Sequence, residues 1–306
     1  MRYAWIDPQR DCYPVGLLCR VLQVSRSGYY AWREREPSQS VQRRQRIGQA
    51  AQQSHRDSHG TYGYRRVHRD LVDDQEIACC RETVRRVMAE LGLCGRHKRR
   101  FVKTTNANHE EPIAANRLQR DFTATRPDQK WLADITYLRL TEGWLYLAVI
   151  LDCFARRIVG WSLSRQINAE LVCAALEMAL RRRGPQGNLV HHSDRGVQYA
   201  SGALRELLQR EGLTMSMSRK GDPWDNAMME SFFGSLKTEW IDDGYATEAQ
   251  ARMEVFKYIE MFYNPTRRHS ALGYLSPVEY ERRYEAGQLT PWNRRPGVSG
   301  SRAHHP

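Results

Sequence analysis

Three acids in this chain stand where acids are unusual. Asp134 falls in the middle of an alternating segment, between Trp131-Leu132-Ala133 and Ile135-Thr136-Tyr137. A strand interior tolerates a charge only when something pairs with it. Asp194 closes the segment His191-His192-Ser193-Asp194-Arg195-Gly196. The space just beyond a strand's C-terminal end is where α/β sheets usually place their chemistry. Glu230 belongs to a helical stretch whose Glu230, Gly234 and Lys237 share one face, with Phe232, Phe233, Leu236 and Trp240 on the other. Any one of these acids alone reads as a salt bridge or helix cap. Together, oxygen donors from a strand centre, a strand end and a helix suit a hard divalent cation such as Mg2+. A pair of such ions, ~3.5–4 Å apart, clamps the attacking and leaving oxygens of a phosphodiester. Asp152 ends a neighbouring strand and is expected beside the site, as is His192. Asp225 is expected to cap the Glu230 helix, after a turn fixed by Pro223.

The elements that must position these acids follow from periodicity. Trp131 to Leu140 alternates, Trp144 to Asp152 is nearly continuous in apolar residues, and Arg157 to Ser164 alternates again, predicting a three-strand meander. A helix is predicted over Ala169–Arg183, a strand over Asn188–His192, a helix over Ala203–Arg210, a strand over Leu213–Met217 and a helix over Asn226–Trp240. The order βββ-α-β-α-β-α is that of a mixed α/β layer fold. The first third is helical: Val15, Leu18, Cys19 and Leu22 repeat at helical spacing. Val24 to Trp32 follows, and its serine cap and glycine between two apolar helices look like the turn of a helix-turn-helix unit. Helices are also expected over Val41–Ser54, from Tyr64, and over Glu82–Leu91. Thr104 to Arg126 is polar and linker-like. The expected domains are therefore a basic helical region with linker (1–126), a catalytic core (127–242) and a C-terminal helical extension (243–306).

Charge divides the same way. The chain of 306 residues carries a net charge of +12. Residues 1–120 hold 23 Lys and Arg against 13 Asp and Glu, and the remainder 24 against 22. A basic module attached to a nearly neutral one suggests a polyanionic partner, most simply nucleic acid. The longest apolar run, Trp144 to Leu151, is too short to span a bilayer. Seven cysteines, an odd count without a framework, fit a reduced cytosol. His55, His59, Cys79, Cys80 and Cys94 faintly suggest a zinc module, but adjacent Cys79 and Cys80 suit tetrahedral geometry poorly, and small core residues are the preferred reading.

At these residues the chain resembles the DDE transposases of bacterial insertion sequences, specifically the orfB-type product of the IS-three family. Trp131 to Tyr137 is similar to that family's first-acid segment, and His192-Ser193-Asp194-Arg195-Gly196-Val197-Gln198-Tyr199 to its second. Asp225-Asn226-Ala227 through Glu230-Ser231-Phe232-Phe233, with Leu236-Lys237, is similar to its third. The 35 residues between Asp194 and Glu230, and a basic residue seven places after the glutamate, are family features. Tyr62 to Arg66 and Met88 to Leu93 resemble its N-terminal helical region. Tyr263-Asn264, Arg267 to Tyr274 and Ser276-Pro277 resemble its C-terminal signature. The resemblance implies an RNase H-like, integrase-like core with a mixed five-stranded sheet. It supports Asp134, Asp194 and Glu230 as metal ligands and catalytic residues, with two Mg2+ (or Mn2+) ions. It implies DNA cleavage and strand transfer at element ends by a multimer. It implies too that this chain alone holds the chemistry but reads the ends poorly, so that productive transposition needs an upstream orfA-type product or a fusion with it.

DNA contacts are expected from Arg65, Arg66, Arg85, Arg86 and the run Arg96 to Arg100, Arg99 and Arg100 included. Lys237 is expected at a phosphate, Arg267 and Arg268 in a backbone clamp with His269, and Tyr199 or Trp224 stacked on an unpaired base. An RNase H-type nuclease would cleave without joining, and a non-catalytic DNA-binding regulator would need no acids. The basic helical region argues against the first and the three acids against the second. The expected location is the bacterial cytoplasm, on the nucleoid when bound to DNA.

Overall fold

The computed structural model describes residues 2–96, 114–219, 226–241 and 244–289. At its centre is a five-stranded sheet of β1 (Lys130–Arg139), β2 (Trp144–Asp152), β3 (Ile158–Ser164), β4 (Val190–Ser193) and β5 (Thr214–Met217), in the order β3-β2-β1-β4-β5. The antiparallel meander β1–β3 carries the long strands, and β4 and β5 add parallel to β1. The near-continuous apolar character of β2 follows from burial on both faces.

The pleat sends alternate residues to two different layers. Trp131, Ala133, Ala148, Ile150 and Val159 pack against α7 (Ala169–Arg183) and α8 (Gly202–Arg210). Gly160 lets β3 and α7 approach closely: a Cβ there would lie 2.2 Å from the Ala175 carbonyl oxygen. Leu132, Leu138, Leu147, Val149 and Leu151 face the other way, onto Met229, Phe232, Phe233 and Leu236 of α9 (Ala227–Glu239). The chain continues through α10 (Glu248–Phe256), a π-helical turn (Lys257–Tyr263) and α11 (Pro277–Glu285).

The N-terminal third is helical. It comprises α1 (Arg2–Gln9), α2 (Val15–Val21), α3 (Arg26–Glu34), α4 (Gln39–Asp57), α5 (Tyr64–Arg69) and α6 (Arg81–Glu90). The core elements fall within about two residues of their predicted bounds. The packing, however, does not break near residue 126. Ile47, Val67, Val84 and Met88 share one continuous apolar cluster with Leu132, Phe232 and Tyr258. Leu118, in the expected linker, is buried in that cluster as well. Residues 97–113, which include the first part of that linker, lie outside the described residues.

Candidate active site

β1 and β4 run parallel with Leu132 opposite His192 and Ala133 opposite Ser193. Asp194 follows β4 directly, one residue beyond the Ala133–Ser193 pair, and so comes off the strand next to Asp134. Asp134 projects to the α9 side of the sheet, the face it shares with Leu132 and Leu138. One of its oxygens accepts from the Ile135 N–H (2.8 Å) and the other from the Asn226 amide (2.6 Å). Asp194 accepts from the Gly196 N–H at 2.9 Å.

Asn226 occupies the N-cap position of α9, yet its side chain makes no capping bond to its own helix. The amide reaches Asp134 instead, and so fastens the start of α9 over the middle of β1. Glu230 lies one turn further along, exposed to solvent. The sequence reading passed over Asn226 in favour of Asp225. The available signal was an amide at the start of the helix, four residues before its glutamate.

Burial pushes the Asp134 carboxyl well above the ordinary carboxylate range, and the charges of Asp194 and Glu230 push the same way. The three acids therefore share one electrostatic field. Lys237 joins it: its ammonium lies 4.3 Å from the centre of the Tyr137 ring. Burial lowers the Lys237 pKa, and the charge of Asp134 opposes that shift. Among the described residues, no group of three or more His, Cys, Asp or Glu side chains is drawn into a single ligating cluster.

Other expected site residues lie elsewhere. Asp152 is opposite Trp131 in the β1–β2 ladder and so projects to the α7 side, away from Asp134. It is fully buried, accepts from the Asp128 and Phe154 N–H groups, and lies 3.6 Å from the Arg183 guanidinium. Asp152 is thus a structural acid of the opposite layer, and its expected place beside the site is corrected. Burial raises its carboxyl to about 7. His192 is buried two residues before Asp194, with Nδ1 2.8 Å from the Ser216 hydroxyl.

The expected clamp at Arg267, Arg268 and His269 is corrected too. All three residues are buried. Arg267, 4% exposed, holds Glu239 in a two-point ion pair and also donates to Ser235. Arg268 bonds Asp70, Asp73 and Asp74, joining the C-terminal loop to the turn after α5. Arg267 thus ties the C-terminal loop to α9, and Arg268 ties it to the helical third. Arg66 is half-buried against Glu239. Arg65, Arg85 and Arg86 stand exposed, the last two paired with Glu82. Arg99, Arg100, Trp224 and Asp225 lie outside the described residues.

Tyr199 cannot stack on a base: it is 1% exposed, and its buried hydroxyl has no hydrogen-bond partner among the described residues. An orphaned buried hydroxyl is destabilising, so Tyr199→Phe is expected to stabilise the protein by about 1 kcal/mol. A higher melting temperature checks this, and a lower one contradicts it.

Comparison with known proteins agrees with this architecture. Residues 124–223 and 211–277 each match a family described as "Integrase core domain", and residues 42–101 match an "HTH-like domain". The chain is 42% identical over 268 residues to the "Insertion element IS600 uncharacterized 31 kDa protein" of Shigella sonnei, covering 87% of this chain and 98% of that protein. It is 40% identical over 284 residues to the "Transposase InsF for insertion sequence IS3A" of Escherichia coli (strain K12), covering 92% and 98%. Among solved structures it is similar to the HTLV-2 integrase catalytic core domain in complex with magnesium (trimeric form), with a TM-score of 0.40 and 14% identity over 51% of this chain and 97% of that one. Near-complete coverage at 40% identity, together with the integrase core and HTH-like matches, means that the chain belongs to the family of IS3 insertion-sequence transposases.

Proposed function

We propose that Asp134, Asp194 and Glu230 form the reaction centre of a metal-dependent DNA transposase that cleaves the strand at an element's end and joins the freed 3′-hydroxyl to target DNA. The observation that carries this is the convergence of Asp134, in β1, with Asp194, just past the end of the neighbouring parallel strand β4, with α9 pinned at Asp134 by the Asn226 amide. The donor set fits a divalent cation: the oxygens are hard, and the carboxylates' mutual repulsion is what a bound dication would relieve. Asp134, Asp194 and Glu230 would hold two Mg2+ or Mn2+ ions. When bound, these supply Lewis-acid stabilisation of the charge developing on the phosphodiester.

The chain's own contribution is positioning and charge. Asp134, in the middle of β1, and Asp194, just past the end of β4, fix the reacting phosphodiester. Lys237 brings a positive charge to that phosphate. Hydrolysis by water leaves a 3′-hydroxyl, which then attacks a second phosphodiester and expels its 3′ oxygen. The domain division proposed is a DNA-holding helical region to about residue 126, a core to about 242 and a C-terminal clasp. The active form is a multimer pairing two ends, and an upstream orfA-type partner or fusion increases its discrimination of end sequence. The test is a joining assay on labelled terminal-repeat DNA.

Exposed ion pairs such as those of Arg85 and Arg86 with Glu82 are weak enough to yield to phosphate. Replacing both arginines by glutamine in the whole chain is expected to lower duplex affinity and to flatten log affinity against log salt by about 2. An unchanged slope would remove α6 from the DNA interface.

A further inference from the structure

Residues 2–34 lie ahead of the matched HTH-like segment and fold around a separate core. Ile6, Leu18, Cys19 and Tyr29 are buried together, with Tyr3, Val15, Leu22, Val24 and Trp32 packed against them. Among the described residues, none beyond Trp32 enters this cluster. Gln23, in the turn between α2 and α3, takes the left-handed conformation at φ 52°. Ser25 then caps α3, its hydroxyl accepting from the Gly28 N–H at 3.0 Å. Gly28 itself is where α1 crosses: a Cβ there would lie 2.3 Å from the Tyr3 hydroxyl oxygen. A short helix, a turn closed by a left-handed residue and a capped second helix, buttressed by a third, is the helix-turn-helix geometry that delivers its second helix to a major groove.

The chemistry of the free face agrees. Arg26, Ser27, Tyr30 and Ala31 of α3 are exposed. Asp7 is engaged on the other side, by the Tyr29 hydroxyl at 2.7 Å and by Arg10. Glu34, the one acid in α3, is at its far end. The Arg26–Tyr30 half of the helix therefore presents donors without a neighbouring acid on α3.

We propose that α1–α3 is a second DNA-docking unit, which seats α3 in the major groove of duplex DNA with Arg26, Ser27 and Tyr30 at base edges. The proposal rests on the reading of the chain as a DNA-joining enzyme and names the element that reads its substrate. α3 ends at Glu34 and α4 begins at Gln39, a connection of about 18 Å at full stretch. The short connection keeps α3 tethered to the start of α4.

The experiment uses the whole chain carrying Arg26→Ala and Tyr30→Ala. The probes are a duplex bearing the element's own terminal repeat and a scrambled duplex of equal composition. Affinity for the repeat should fall about tenfold, affinity for the scrambled duplex should fall less, and guanine N7 methylation interference should lose a patch. The melting temperature should be unchanged, because both side chains are exposed. Ser27→Asp, which adds a negative charge to the same face, should reproduce the loss. Unchanged affinity and interference in both variants would overturn the proposal. So would an equal fall on both duplexes. A third overturning result is loss of joining in Leu17→Asp/Val21→Asp with Arg26→Ala/Tyr30→Ala silent, because the exposed apolar face of α2 would then dock a protein. Asp134→Asn on the same probes tests the chemistry separately, so a failure of groove docking is distinguishable from a failure of the catalytic reading.

Discussion

Asp134→Asn, Asp194→Asn and Glu230→Gln are each expected to reduce both cleavage and joining by more than about a thousandfold, while affinity for DNA stays within about twofold. Each substitution removes one negative charge and almost no volume. The fold should tolerate all three. Glu230 is exposed. Asp134 and Asp194 would keep an acceptor oxygen for the Ile135 and Gly196 N–H groups. Relief of repulsion should even raise the melting temperature slightly for Asp134→Asn, because the wild-type carboxyl is buried beside two like charges. Joining within tenfold of wild type by any one variant would remove that residue from the reaction centre.

The largest effect on stability is expected at Glu239→Ala. It strips the partner from Arg267, whose guanidinium is buried and bonded at two points to that carboxylate. Glu239 also accepts from the Tyr258 hydroxyl at 3.1 Å and pairs with Arg66. Breaking a buried pair from one side costs about 3–5 kcal/mol, a fall in melting temperature of roughly 10 °C for a chain of this size. The pair carries a pH signature. Burial pushes the Glu239 carboxyl up, but Arg267 outweighs it and holds the group below its ordinary range. A depressed carboxylate contributes stability above its unfolded pKa of ~4.3 and loses it as pH falls through the folded value. Wild type should therefore lose more stability on acidification below ~4.3 than the variant does. Equal acid sensitivity of the two would mean that the pair contributes nothing.

How much of this was legible in sequence depended on where each residue's partner lies. The settings of Asp134, Asp194 and Glu230 were legible because they are local: an acid inside an apolar alternation, an acid at the end of a short strand, an acid on the polar face of an amphipathic helix. The sheet was legible for the same reason, since period and turn residues are read within ten positions. Arg267 and Arg268 were misassigned because a basic pair looks the same in sequence whether it meets phosphate or buried acids. Their partners, Asp70 and Glu239, are 198 and 28 residues away. Asp152 was misassigned by one step of parity. Its strand was placed correctly, but the side of the sheet depends on the β1–β2 register, which sets it opposite Trp131. Tyr199 follows the second acid closely in sequence, yet the turn beginning at Gly196 folds it into the core. The Asn226–Asp134 bond spans 92 positions: the amide four residues before the glutamate is visible locally, but its partner is not.

The central claim is that this chain joins DNA strands through its three acids and a divalent metal. One measurement tests it most directly: incubate the whole protein, with its upstream partner or as the fusion, with a labelled terminal-repeat duplex and an unlabelled target plasmid, with Mg2+ or with chelator. Label should become covalently joined to the plasmid through the repeat's 3′ end in Mg2+, and in none of the chelated samples. Cleavage of the repeat without transfer of label, or transfer that persists in chelator, would contradict the account.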